Sequence, residues 1–254
     1  MQKHYIGITG ITRLEEIDFI LEILAKYPQI YAKRRIMLGF LMDEVLASDF
    51  HAKNTSLKKV SIPQLCALCD YIDRVISNKQ DFMKIVHITL KPQNLEKIHS
   101  ITEYAGTIDG FQLNIKNPDP FKIKELKQAY SAMDLIYQLK PFILTDIERF
   151  FAELSHDQLE ALKYIDHFLI DISEGKGILG NTALITQTYQ YMQKMGFTTN
   201  TFGFAGGLSE STLNLFKDLL PFYSIDAESQ LRMNDKINKQ KLQAYLEKAI
   251  HLML

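Results

Sequence analysis

The sequence predicts an α/β protein, a single-domain (β/α)8 TIM barrel spanning residues 1–254. Three observations carry that expectation. Eight short apolar runs alternate with amphipathic segments, which demands a parallel sheet, and eight strands allow the sheet to close. The length of 254 residues is what such a barrel typically needs. The first strand–helix turn, ITGIT, lacks the glycine spacing of a dinucleotide-binding open sheet, the main competing arrangement. No repeat, linker or low-complexity tract interrupts the series.

In order, HYIGIT (4–9) is the first strand, and Gly10-Ile11-Thr12 turns it into a helix over 13–27. RIMLGFL (35–41) is the second strand and leads to Asp43 and Glu44. The polar stretch 45–60 reads as a long loop, and such loops in compact domains are often functional. Ser61 as N-cap and Pro63 in the first turn start a helix to residue 76. KIVHITL (84–90) is strand three, followed by a helix over 92–105. GFQLNI (110–115) is strand four, with Asn117-Pro118-Asp119-Pro120 as a loop before a lysine-rich helix. MDLIYQL (133–139) is strand five, and the helix after it runs to residue 164, with Ser155 placed to cap a second piece. HFLIDI (167–172) is strand six, opening into SEGKGILGN and a helix over 182–195. An apolar run from Thr201 ends at Gly206-Gly207, where Ser209 offers an N-cap to a helix over 210–220. Residues 223–225 form strand eight, which closes on Asp226-Ala227-Glu228-Ser229, and an amphipathic helix over 239–254 ends the chain.

Composition narrows the function. Hydrophobic residues make up 46% and charged residues 23%, enough for a sizeable core. A net charge of −1 sets up no global field for nucleic acid or anionic lipid, so any anion binding must be local. Cys66 and Cys69 form a lone CxxC on an amphipathic stretch, where helix packing is a better reading than a metal or redox site. No cofactor and no metal are expected. Without a basic leader or a long apolar segment, the chain reads as cytoplasmic, as a monomer or a homodimer.

In a barrel of this kind only the C-terminal strand ends reach a common ligand. They are Thr9, Asp43 with Glu44, Lys91, Gln112 with Asn114, Lys140, Asp171, the loop Gly175–Gly180, Gly206-Gly207, and Asp226 with Ser229. Asp171 stands alone in an apolar strand. It is either a proton donor at the mouth or a structural carboxylate paired with Lys91 or Lys140. Gln112 and Asn114 alternate on one strand and so share a face, suited to a polar ligand or to filling a barrel layer. Bare backbone at Gly206-Gly207 and after strand eight suits a phosphate, which usually sits on these loops, although a plain tight turn uses the same residues.

GITGIT at the start, GFQLN at strand four, FLIDISEGKGILGN at strand six, AGGL at strand seven and SIDAES at strand eight resemble the phosphoribosylanthranilate isomerases. The likeness runs through nearly the whole chain in order and spacing. It implies a single-domain barrel performing an Amadori rearrangement in tryptophan synthesis on a small phosphorylated substrate. By this resemblance Asp171 is the acid that protonates the ribose ring oxygen. Phosphate lies on Gly175, Gly177, Gly180, Gly206, Gly207 and Ser229, and Gln112, Asn114 and Asp226 face the substrate. Four departures stand out. The family's general-base cysteine falls on Thr9, its strand-four histidine on Asn114, and the glycine after the Ser229 position on Gln230. The arginine expected after strand two is missing, with Asp43 and Glu44 nearby. Three readings follow: an isomerase with a different base such as Asp43 or Glu44, a silent barrel that binds a phosphorylated ligand, or a Schiff-base aldolase using Lys91 or Lys140.

Overall fold

In the computed structural model, which describes residues 3–105, 107–171, 173 and 181–254, eight parallel strands pair in chain order and the last returns to the first. They are β1 (Tyr5–Thr9), β2 (Arg35–Asp43), β3 (Phe82–Thr89), β4 (Gly110–Leu113), β5 (Asp134–Leu139), β6 (His167–Asp171), β7 (Thr201–Ala205) and β8 (Ser224–Ala227). The barrel is therefore closed, as the sequence predicts. Each strand is rich in Ile, Leu, Val and Phe because both of its faces are covered. Outward side chains such as Ile6, Ile8, Phe40, Val86, Phe111 and Phe168 pack under the helices in one large core. A separate cluster of Tyr5, Met37, Met83, Ile85, Ile136, Leu169 and Ala205 fills the barrel itself. That plug supports the mouth from below.

The outer layer begins with α1 (Leu14–Leu24), α2 (Glu44–Ser48), α3 (Ile62–Val75), α4 (Lys97–Tyr104) and α5 (Pro120–Ala129). It continues with α6 (Pro141–Thr145), α7 (Ile147–Ala152), α8 (His156–Leu162), α9 (Thr182–Lys194) and α10 (Lys239–Met253). Starts follow capping chemistry: Ser61 N–H donates to Gln64 Oε1 at 3.0 Å before α3, and Asn181 and Asn238 accept from the first turns of α9 and α10. The segment after β5 breaks at Ser155, which accepts from Gln158 N–H at 3.3 Å, and breaks once more at Asp146. Gly110 marks a close approach: a Cβ there would lie 2.0 Å from the Asp134 carbonyl oxygen across the β4–β5 pair.

Three features differ from expectation. The segment 210–220 is not an α-helix but contains the 3-10 turns Leu213–Phe216 and Leu220–Phe222. Ser209 does not cap a helix. Its N–H donates to Thr212 Oγ1 at 2.8 Å, and Thr212 donates to the Gly207 carbonyl at 2.9 Å, so hydroxyls take backbone partners a helix would need. The polar stretch after β2 starts with the short helix α2 and is tied back to the sheet by Val60 N–H donating to the Leu41 carbonyl at 2.9 Å. After β8 comes a small hairpin, β9 (Arg232–Met233) and β10 (Lys236–Ile237), turned by Asn234 and Asp235 at φ 51° and 60°. Two successive left-handed residues suit Asn and Asp. Cys69 is buried in α3 and desolvation pushes its thiol up to about 12, so it packs rather than reacts. No helix among the described residues is long and apolar enough to cross a membrane.

Candidate active site

Strand register sets which side chains meet at the mouth. Asp171 on β6 pairs with Ala205 on β7, and Ala205 with Asp226 on β8, so the two carboxylates stand at one level two strands apart. Thr9 lies beside Gly39, and His87 beside Gln112. Thr9, His87, Gln112, Asn114, Gln138, Asp171, Gly206, Gly207, Asp226, Glu228 and Ser229 all line one cavity. The structure thus brings together Thr9, Asp171, Gln112, Asn114, Asp226, Gly206, Gly207 and Ser229, the described residues that the resemblance assigns to catalysis, substrate or phosphate. Gly175, Gly177 and Gly180 lie outside the described residues.

Each carboxylate has its own environment. Asp171 is buried and accepts from Gln138 Nε2 at 2.5 Å and from the Ser173 N–H and hydroxyl, both at 2.8 Å. These donors, from the described residues, are all neutral. Asp226 is also buried, and Thr9 Oγ1 donates to its Oδ1 at 2.6 Å. Desolvation pushes Asp226 up to about 7; the Thr9 hydrogen bond opposes the shift, while Glu228 and Asp171 add to it. His87 Nε2 lies 3.3 Å from Thr9 Oγ1, and its Nδ1 is 3.9 Å from Asp226 Oδ2. Burial lowers His87 to about 3, so the ring is neutral. Because the Thr9 proton goes to Asp226, the consistent tautomer has Nε2–H donating to Thr9.

Two glycines make this cluster possible. A Cβ at Gly7 would come within 2.7 Å of Asp226 Oδ1, and one at Gly39 within 2.5 Å of Thr9 Oγ1 and 2.9 Å of His87 Nε2. Gly39→Ala is therefore expected to push Thr9 and His87 apart, at a stability cost of ~1–3 kcal/mol. Thermal unfolding checks this: an unchanged midpoint would mean that the mouth has slack the distances deny.

Asp43 and Glu44 are not available as bases. Asp43 caps α2 and pairs with Lys59 at 2.7 Å, while Glu44 accepts from Lys91 N–H, Asn94 and Lys97; neither lines the cavity. Lys91 and Lys140 are also absent from the lining, and the Lys140 ammonium donates to Asn114 Oδ1. A Schiff-base lysine is therefore not found among the described lining residues. Among the described lining residues none is Lys or Arg, and backbone N–H groups and neutral polar side chains are the donors they offer an anion. Gly206 and Gly207 supply the loop shape, with φ of 100° and 65° that a side chain rarely adopts. Glu228 lies beside them; burial raises it, while Arg232 and Lys58 favour its ionised form.

His87 and Gln138 escaped the reading by strand ends, because both sit inside strands. The signal was the same as for Asp171: one polar residue in an apolar run, KIVHITL and LIYQL, on the inward parity.

The barrel is similar to phosphoribosyl anthranilate isomerase from Thermotoga maritima, at 16% identity over 97% of this chain and 98% of that one, with a TM-score of 0.65. The enzyme of that name from Thermus thermophilus is 15% identical over 98% and 99% of the two chains, with a TM-score of 0.62. The tryptophan synthase alpha chain from Legionella pneumophila subsp. pneumophila is 11% identical over 99% and 92%, with a TM-score of 0.59. Neither a protein-family model nor a curated protein matches the sequence. At these identities the likeness shows the (β/α)8 fold.

Proposed function

We propose that this chain is an intramolecular sugar-phosphate isomerase of the phosphoribosylanthranilate isomerase type. The observation that carries the reading is the pair of buried carboxylates, Asp171 and Asp226, at one level of one cavity. An aldose-to-ketose rearrangement needs one group to deliver a proton to the ring oxygen and another to take one from the neighbouring carbon. Asp171 is the donor. Buried Gln112 Oε1 has no partner among the described residues, which leaves that amide for a ligand hydroxyl. The phosphate group takes the backbone of the loops at Gly206-Gly207 and Ser229. A silent phosphate-binding barrel would share the second half of this site but not the first.

Ribose 5-phosphate and inorganic phosphate are expected to raise the melting temperature of the wild type, following the mass-action law for ligand binding. Gly207→Val should lose that protection, since φ of 65° strains a β-branched residue and its side chain crowds the loop. Ser229→Asp should lose it too, through like-charge repulsion, without disturbing the glycines. Equal protection of all three proteins would place the phosphate elsewhere. Phosphoribosylanthranilate converted by the wild type supports the isomerase reading; protection without any conversion supports the silent barrel.

A further inference from the structure

Thr9 stands where the resembling family carries its basic cysteine, yet its hydroxyl proton is already committed to Asp226 Oδ1 at 2.6 Å. Threonine has no accessible anionic form near neutral pH, so it cannot itself accept the proton. The hydrogen bonds run one way, from His87 Nε2–H to Thr9 Oγ1 and from Thr9 O–H to Asp226. Side chains of β1 and β3 therefore converge on a single carboxylate of β8. We propose that Asp226 is the proton acceptor of this site and that Thr9 is the residue that positions it.

The surroundings fit that role. The groups facing Asp226 are Thr9 and Tyr5 from β1, His87 from β3, Asp171 from β6, Glu228 from the loop after β8 and Tyr245 from α10. Of these only His87 could carry positive charge, and burial keeps it neutral. With no cation among the described residues to hold it ionised, the carboxylate sits at about 7, balanced between its two forms at neutral pH. That is the condition for an efficient general base. The gap left by Gly7 lets the carboxylate lie against β1 instead of being forced aside.

The step rests on the isomerase reading above and balances as follows. Asp171 gives a proton to the ring oxygen as the C1–O bond breaks, and the nitrogen lone pair forms a C1=N iminium. Asp226 takes the C2 proton; the C–H electron pair forms C1=C2, and the iminium π pair returns to nitrogen. The C2 hydroxyl proton then goes to Asp171, the O–H electron pair forms C2=O, and the C1=C2 π pair takes the proton back from Asp226 at C1. Both carboxyl groups end as they began, and no oxidant or reductant is consumed.

The test uses phosphoribosylanthranilate and follows loss of the C2 hydrogen, by exchange in D2O and by the isotope effect of C2-deuterated substrate. Asp226→Asn keeps the acceptor for Thr9 and should slow C2–H cleavage by ~10²–10⁴-fold. Thr9→Val should move the acid limb of the pH–rate profile upward by about one pH unit, because a hydrogen bond to the charged form is lost. Thr9→Ser should restore it. A purely structural threonine would leave the limb in place. An arm independent of turnover is the carboxyl carbon resonance that Asp226→Asn removes, which should titrate near pH 7 in the wild type and higher in Thr9→Val. The acid also leaves a mark on stability. The folded carboxyl sits near 7 and the unfolded one near its usual 3.8, so folding binds protons between them and stability falls as pH rises through that window. The melting temperature of Asp226→Asn, relative to wild type, should thus be higher at pH 8 than at pH 5. Wild-type exchange that survives Asp226→Asn overturns Asp226 as the base and leaves the isomerase standing. A wild type that exchanges nothing while its carboxyl still titrates near 7 overturns the isomerase reading. A carboxyl that titrates in the usual acid range overturns the proposal itself.

Discussion

Asp171→Asn is expected to lower turnover of phosphoribosylanthranilate by ~10²–10⁴-fold, the range for losing one general acid. Asparagine fills the same space and can still accept from the Ser173 N–H and hydroxyl, which now bond Asp171 at 2.8 Å. It cannot deliver a proton to the ring oxygen. Gln138, whose amide now donates to Asp171, can turn its amide over to meet the new side chain at no cost in volume. The fold should therefore survive, and a thermal melt run beside the kinetics separates lost chemistry from lost structure. Activity within a few-fold of wild type, on an intact fold, would remove Asp171 from the reaction.

The largest expected effect on stability is at the other end of the barrel. Gly110→Ala would put a Cβ 2.0 Å from the Asp134 carbonyl oxygen, 2.8 Å from its carbon and 2.9 Å from its nitrogen. All three are backbone atoms of the paired strand, so no side chain can swing away. The strands must part, and with them the Asp134 N–H bond to the Asp109 carbonyl at 2.8 Å. A cost of at least ~3 kcal/mol is expected, a large share of the ~5–15 kcal/mol that holds a domain together. Denaturant titration reads it directly. A midpoint unchanged from wild type would mean that β4 and β5 can part at Gly110 without cost.

The fold was legible because alternation of apolar runs with amphipathic segments is a local signal repeated eight times. The segment 210–220 was misread for an equally local reason: Ser209 looks like a helix start, but the Thr212 hydroxyl bonds the Gly207 and Ser209 carbonyls. The site was legible wherever a residue stood at a strand end or broke an apolar run, as Thr9, Asp171 and Asp226 do. Partnership was not. Nothing in the order of residues says that Asp43 would turn to Lys59 and Glu44 to Lys97, or that Asp171 would choose Gln138 over a lysine. Those choices depend on strand register and on which loop folds over which helix. Gly7 and Gly39 are the clearest case. In sequence they look like weak points in strands, and only the closed barrel shows them as the room in which three side chains meet.

The Thr9–Asp226 hydrogen bond crosses the seam where the last strand rejoins the first, between residues 217 positions apart. No shorter stretch of chain contains both partners. Ring closure is the step with the greatest entropy cost in a barrel, because the longest loop must be drawn together before its contacts repay it. The group assigned to take the proton is therefore expected to be assembled late. A partly refolded chain with Asp171, Gln138 and β5 to β7 in place but the seam open has no working base, so recovery of activity during refolding should lag recovery of helical signal and mark the moment the ring is complete.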